Sequence, residues 1–270
     1  MVTVRTPLTL RTDCDPAILC QFAYTAWVQF IVLDTADARG SVALFGDNGV
    51  VCAESHLNDE DYSSWLLPSV HRVLDSSELS LADLEGYAVC AGPGSFTGLR
   101  IGLTTVKAWS EIYHKPIAAI SRLEALAVDL PGEPAVPGPF VAALIDARRG
   151  QLFAALYEKS GERFQLLGEE SVIPPTAFLK RVANECKGRQ VHWRTPDPAL
   201  VQAMPEWQAF PRGGDILERV GTPFADRLGW VALRKFRLGE LTDAISLDAN
   251  YVRRSDAELY WKGTKSALTR

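Results

Sequence analysis

The strongest constraint on this chain is a strand pattern that occurs twice. From Phe30 it reads FIVLDTADARGSVALF, then GDNG, then VVCAE, which is an apolar strand, a short polar turn, an alternating strand, a Gly-rich turn and a third strand. From Phe140 the run FVAALIDARRGQLFAALY, EKSGE, RFQLL repeats that order at nearly the same lengths. In each copy an aspartate, Asp34 or Asp146, ends the first strand and is followed closely by Arg and Gly. Helical periodicity follows each meander, over residues 61–74 and roughly 176–187. Pro68 is expected to kink or reset the first of these helices, because it lacks the N–H that the preceding turn expects. YAVCA, residues 87–91, reads as a short buried strand.

A duplicated unit of strand meander plus helices, with an acidic residue at the first turn of each half, is the layout of the actin, sugar-kinase and Hsp70 class. The expectation is therefore an α/β, duplicated actin-like fold with two subdomains, each a mixed sheet flanked by helices. In that class the two turns face each other across a cleft and hold phosphates and their metal ion. With 270 residues, 47% of them hydrophobic, the chain can bury one large core or two smaller ones. PGEPAVPGP, residues 131–139, reads as the boundary between halves. This divides the chain into residues 28–131, the first subdomain, and 132–270, the second, whose helix near residues 224–238 packs back across the halves. Residues 1–27 show no clear period and read as an extension without ordered structure or as a start codon placed too early.

Between the meanders lies CAGPGSFTGLRIGLTTVKAW, residues 90–109, whose glycines suggest a phosphate loop. Gly92, Gly94 and Gly98 miss the dinucleotide spacing by one residue, and the last glycine is followed by Leu99 and Arg100 rather than by the Lys of a P-loop. Pro93 also removes an N–H that a phosphate nest would use. Ser95 is placed as an N-cap, which puts Gly98 and Gly102 inside a helix running to about Tyr113. An interior glycine costs a helix about 1 kcal/mol relative to alanine, so some contact has to offset it. Gly98, Gly102, Thr105 and Trp109 share one helical face, a bare strip that lets another backbone approach. The visitor is either internal, from this chain's own sheet or preceding helix, or a partner. The preceding helix offers Trp65, Ser69 and Arg72 at helical spacing, and Trp and Arg are enriched in interface hot spots.

Other classes fit poorly. A net charge of −5 without a long basic run argues against a broad grip on nucleic acid. Five cysteines without a C-x-x-C pair suggest neither disulfides nor a zinc knuckle and fit a reducing, cytoplasmic setting. No apolar run is long enough to cross a bilayer, and no membrane association or signal peptide is inferred. Asp34 and Asp146 are the acidic pair with a sensible location for acid/base or magnesium work. Small residues usually follow such an aspartate, whereas ARRG places two long cations after Asp146. Weak nucleotide binding or none is expected, with Asp146 and Arg148 forming an ion pair or turn contact.

The run CAGPGSFTGLRIGLTTVKA closely resembles the G-P-G-S-F-T-G-L-R-I-G signature of the bacterial TsaB family, the dimerisation subunit of the tRNA threonylcarbamoyladenosine-forming complex. VLDTADARGSVALF, LIDARRGQLFAALY and NYVRRSDAE resemble its other landmarks, so that the likeness covers residues 30–258. The resemblance implies a non-catalytic subunit that pairs, as a heterodimer, with a TsaD-like catalytic subunit. That partner transfers threonylcarbamoyl to N6 of the adenosine beside the anticodon in tRNAs reading codons that begin with A. It implies a TsaE-like ATPase as a further partner, tRNA met only through the complex, and ATP and a metal ion on partner subunits with no intrinsic cofactor. Because family members pair through the helices of the first half, the resemblance assigns the glycine strip to a partner helix: Trp65, Ser69, Arg72, Gly98, Gly102, Thr105 and Trp109 are the expected docking residues. Asp34, Thr35, Asp146 and Arg148 are then vestiges of nucleotide-site turns.

The catalytic relative carries H-x-x-x-H where this chain reads SRLEALA, with Arg122 and Leu126 in place of the histidines. Neither side chain can ligate a metal ion. His56, His71, His114 and His192 form no such pair elsewhere, and Ser95 and Thr97 have no base placed beside them by sequence. Tyr62 departs from the histidine that members often carry and is expected to alter the edge of the interface. Rival readings are an actin-like-fold kinase, a metallopeptidase-like enzyme, or a homodimer formed through the same strip.

Overall fold

The computed structural model describes residues 28–56, 61–133, 135–210, 214–221 and 224–250. The extension expected over residues 1–27 and the NYVRRSDAE motif beyond Asn250 lie outside them. The first meander is β1 (Phe30–Asp34), β2 (Ser41–Gly46) and β3 (Gly49–Ser55). It is followed by α1 (Tyr62–Asp75), a 3-10 turn (Leu81–Asp83), β4 (Gly86–Gly92), α2 (Phe96–Tyr113) and β5 (Ile117–Ser121). A short α3 (Arg122–Ala127) leads to the second meander, β6 (Phe140–Asp146), β7 (Leu152–Ser160) and β8 (Arg163–Leu166). Then come β9 (Ser171–Ile173), α4 (Pro175–Cys186), β10 (Val191–Thr195), α5 (Pro198–Gln202), α6 (Pro205–Ala209), β11 (Ile216–Arg219) and α7 (Ala225–Leu238).

The repeat read from the sequence is a repeat of topology. The first sheet is ordered β3-β2-β1-β4-β5, and the second, read in the same sense, β8-β7-β6-β10-β11. In each the meander is antiparallel, and the two later strands add in parallel beside the first strand of the meander. This is the expected duplicated fold. α1 runs through Pro68 without a break. Pro68 is exposed, so solvent can meet the carbonyl that its missing N–H leaves unbonded.

Strand alternation distributes the core. In β1 and β4, Ile31, Leu33, Tyr87 and Val89 point to the face that α1 and α2 cover, where Tyr87 packs on Trp109 at 5.5 Å between ring centroids. Phe30 and Gly86 point to the other face, against Phe236 of α7. β6 divides likewise: Val141, Ala143 and Ile145 join the main core, while Phe140, Ala142 and Leu144 join a second core with Phe178, Trp193 and Trp207. α7 thus returns from the second half of the sequence to cover the first sheet, and α3 packs on the inner face of the second. Each half lends the other a helix, so the sequence boundary near residue 131 does not separate two independent cores.

Two buried arginines fasten this exchange. Arg194 on β10 donates to the Val128 carbonyl at the C-terminal end of α3 (2.7 Å) and to Glu218 (2.8 Å). Arg227 on α7 donates to the same carbonyl (3.0 Å) and, at 2.5 and 2.7 Å, to Glu133. Cations belong at a helix C-terminus, where unsatisfied carbonyls gather partial negative charge. Removing Arg194 takes this donor from Glu218 and from the buried carbonyls of Leu126 and Ala127, which it reaches at 3.4 and 3.5 Å. Replacing Arg194 with alanine is expected to lower unfolding free energy by about 3–5 kcal/mol in urea denaturation.

Candidate functional site

Residues 35–40, which follow β1, form the turn where this fold class would hold a phosphate. Here the turn is seated on α2. Ser95 caps that helix by accepting from the Gly98 N–H (3.3 Å), and its own N–H donates to the Ala36 carbonyl (2.7 Å). Thr35 Oγ1 donates to the carbonyl of Gly98 (2.7 Å). A Cβ on Gly94 would overlap the Ala36 carbonyl oxygen, and one on Gly98 the Thr35 carbonyl oxygen. One on Gly102 would lie 2.5 Å from Thr35 Oγ1 and 3.4 Å from a methyl of Val89.

The bare strip is therefore filled by the chain's own first turn, which corrects the expectation that a partner helix enters it. The visitor is internal. Trp65, Ser69 and Trp109 are buried as well, Trp65 edge-on to His56 and Tyr62, and Trp109 against Tyr87. Of the expected docking residues, Arg72 and Thr105 reach the outside. Arg72 makes a two-point contact with Glu54 (2.6 and 2.5 Å) and donates to Ser69 Oγ (2.9 Å). Thr105 is half-buried, its hydroxyl on the Ile101 carbonyl (2.8 Å).

The opposite side of the turn is closed by α1 and the end of β3. Tyr62 donates its hydroxyl to the Asp37 carbonyl, His56 Nδ1 meets the Ala38 carbonyl (2.9 Å), and the His56 N–H donates to Gly40 (2.8 Å). The His56 and Tyr62 rings stack at 4.3 Å. The amides of Ala36 and Ala38 are taken by the carboxylates of Asp34 (3.0 Å) and Asp37 (2.8 Å). A phosphate needs such amides open toward it. Tyr62, expected at the edge of an interface, serves this turn.

Behind the turn Asp34 is fully buried, and burial pushes its carboxyl above the usual range, opposed by the charge of Arg122 and the Ala36 amide. Arg122 opens α3, whose N-cap Ser121 accepts from Leu123 N–H (3.1 Å) and Glu124 N–H (3.4 Å). Only 1% exposed, Arg122 donates to Asp37 (3.2 Å) and lies 4.8 Å over the Phe224 ring. A fixed monocation thus stands beside Asp34, where the fold class would bring a metal and its phosphates. Leu126 is core. Among the described residues no three His, Cys, Asp or Glu side chains are grouped to hold a metal ion. The buried Cys90 thiol, near Asp34, is pushed well above its usual range and is a poor nucleophile.

The second turn differs. Asp146 accepts from the Arg148 N–H (2.7 Å), and its other oxygen lies 3.3 Å from the Arg148 guanidinium, the pairing read from the sequence. Arg148 and Arg149 both have left-handed backbone (φ 63° and 55°), a conformation that side chains disfavour. Asp37 and Glu170 were not singled out from the sequence, and neither was the part His56 and Asn250 play here. For Asp37 the signal was present, since TADARG sets a second carboxylate three residues after Asp34.

Two sheets of one strand order and exchanged helices define the duplicated actin-like class. The family model of tRNA N6-adenosine threonylcarbamoyltransferase, TsaD, matches residues 48–203. The tRNA threonylcarbamoyladenosine biosynthesis protein TsaB of Bacillus subtilis (strain 168) is 28% identical over 86% of this chain and 96% of its own length. The protein of that name from Escherichia coli (strain K12) is 29% identical over 87% and 97%. The structure of YeaZ from Pseudomonas aeruginosa, 26% identical, superposes with a TM-score of 0.65 over 83% of this chain and 99% of its own. The chain belongs to the TsaD family as that model draws it, and within it to the TsaB family of tRNA threonylcarbamoyladenosine biosynthesis.

The glycines can be tested by how they fail. Gly→Ala inside a helix ordinarily stabilises by about 1 kcal/mol. Gly98→Ala and Gly102→Ala are instead expected to destabilise by about 1–3 kcal/mol each in urea denaturation, because the alanine methyl overpacks a filled contact. Thr35→Ala should largely rescue Gly102→Ala, whose obstacle is a side-chain hydroxyl. It should leave Gly98→Ala unrescued, because that obstacle is backbone.

Proposed function

We propose that this chain is a non-catalytic pairing subunit of a tRNA threonylcarbamoyladenosine-forming complex, activating a TsaD-like catalytic subunit by docking against it. The observation that carries the reading is Arg122, a buried guanidinium beside Asp34 and Asp37 where a catalytic relative would keep a metal ligand. A turn whose amides and carbonyls are already bonded within the chain supports it, because little is left to grip a nucleotide. ATP, a metal ion, the TsaE-like ATPase and tRNA then belong to the rest of the complex.

With the glycine strip filled, the surface available for pairing on the first-half helices is their outer face. It carries exposed Leu67 and Ile112 (56% and 65%), with the small side chains Thr97, Thr104 and Ala108 along α2. Small residues around a few apolar anchors allow close helix approach. The glycines act one layer deeper, by fixing how α2 is held on the sheet.

The test is co-purification with the TsaD-like protein of the same organism, followed by assay of threonylcarbamoyladenosine in tRNA. The chain alone should give no transfer and no calorimetric signal with magnesium-ATP, and adding it to the partner should raise the product. Ala108→Arg and Leu67→Asp, both at exposed sites, should weaken pairing by about tenfold or more while leaving the melting temperature unchanged. Hydrolysis of ATP by the lone chain, or full pairing by the double variant, would overturn the proposal.

A further inference from the structure

At the joint between the two halves sits a carboxylate that the glycine motif and the turns do not explain. Glu170 lies in the loop between β8 and β9. Its Oε1 accepts from the hydroxyls of Ser121 (2.5 Å), at the head of α3, and of Tyr157 (3.1 Å), on β7. Its Oε2 accepts from the side-chain amide of Asn250 (2.5 Å). The Asn250 N–H in turn donates to the Ala91 carbonyl (2.7 Å), and its own carbonyl lies so close to Gly92 that a Cβ there would come within 2.9 Å of it. One side chain thereby gathers the cap of α3, the second sheet, and the segment that crosses the root of the glycine loop.

We propose that Glu170 is a clasp that couples the closed arrangement of the two halves to the seating of the C-terminal segment on Ala91–Gly92. The geometry gives it directionality. Ser121 and Tyr157 come from the two halves, so Oε1 is correctly placed only when both are in position. Oε2 then presents to Asn250. If the halves part, the carboxylate loses its fixed position and Asn250 loses its side-chain anchor. The segment is thereby freed from the strand that leads into α2. Among the described residues no other acidic or basic side chain bonds to the carboxylate; Glu124 on α3 acts on it as a neighbouring like charge, and Tyr157 as the facing phenol.

The clasp also has a pH signature. Burial, reinforced by Glu124, holds the Glu170 carboxyl above its ordinary value of 4.5, despite the three donors that favour the anion. A carboxyl raised in the folded state contributes stability that is complete below the unfolded value and is lost as pH rises through the folded one. The ionised form carries a burial cost that the three donors partly offset. Glu170→Gln keeps one acceptor for Asn250, and its amide can donate to a hydroxyl, without any charge to bury.

The experiment is amide hydrogen exchange at Asn250, read by NMR on the full chain at neutral pH. Glu170→Ala should lower the protection of the Asn250 amide by about tenfold or more, as for loss of a hydrogen bond to a charged group, while amides in the centre of β1 stay protected. Glu170→Gln should keep protection within about threefold of the parent and remove the rise in stability on acidification. Should Glu170→Ala fail to fold, Asn250→Asp, which sets a second carboxylate against the first, should lose protection at residue 250 similarly. Unchanged protection in Glu170→Ala or Asn250→Asp overturns the clasp. So does equal loss in Glu170→Gln and Glu170→Ala, which would make the site a matter of packing alone.

Discussion

The approach of one backbone turn to a helix without side chains decides how this molecule is arranged. Residues 35–36 rest on Gly94 and Gly98, with the hydroxyl of Thr35 only 2.5 Å from where a Cβ on Gly102 would lie, well inside van der Waals contact. The contact has to be close because the Thr35 hydroxyl and the Ser95 N–H bond across it, and each bond requires backbone within about 3 Å. Once seated, the turn presents its other side to Tyr62 and His56, which fixes α1, and its carboxylate Asp37 to Arg122, which fixes the start of α3. A glycine motif of phosphate-loop appearance is thus spent on internal assembly. A helix bearing two costly glycines is stable because they permit those bonds.

The same arrangement separates this chain chemically from an active nucleotide cleft of its fold class. Such a cleft needs open amides, a polar hollow and a place for a divalent ion. Here two amides of the first turn, those of Ala36 and Ala38, are bonded to Asp34 and Asp37, and a guanidinium supplies the positive charge permanently. A fixed cation balances the buried carboxylate without recruiting an ion from solvent. The arginines at the end of α3 act in the same spirit at the joint, binding carbonyls that hinge motion would expose.

Much of the fold was legible because it rests on local signals. The two meanders, the cap at Ser95 and the end of α2 follow from alternation, capping and turn chemistry, which a sequence displays directly. The later part of the second half was less so: β9 and β11 are short, and β10, VHWRT, is polar in composition although every residue is buried. Its Arg194 is tolerated inside because Glu218 lies opposite on the neighbouring strand, a pairing that sequence separation hides. At the site, the glycine strip was correctly read as a close-approach surface, but the identity of the visitor was not. Helical spacing shows that a face is bare and carries no information about what fills it. The turn that does so comes from 63 residues earlier, and Glu170 meets Asn250 across 80.

The central claim is that the motif's glycines exist to admit the first turn, and the amide of Ser95 reports on it directly, because its proton is held by the Ala36 carbonyl of that turn. Hydrogen exchange at Ser95 should be slow in the parent protein and at least tenfold faster in Gly98→Ala, with amides of β4 unaffected. A Gly98→Ala protein that keeps Ser95 protected and gains the stability alanine normally brings to a helix would contradict the account.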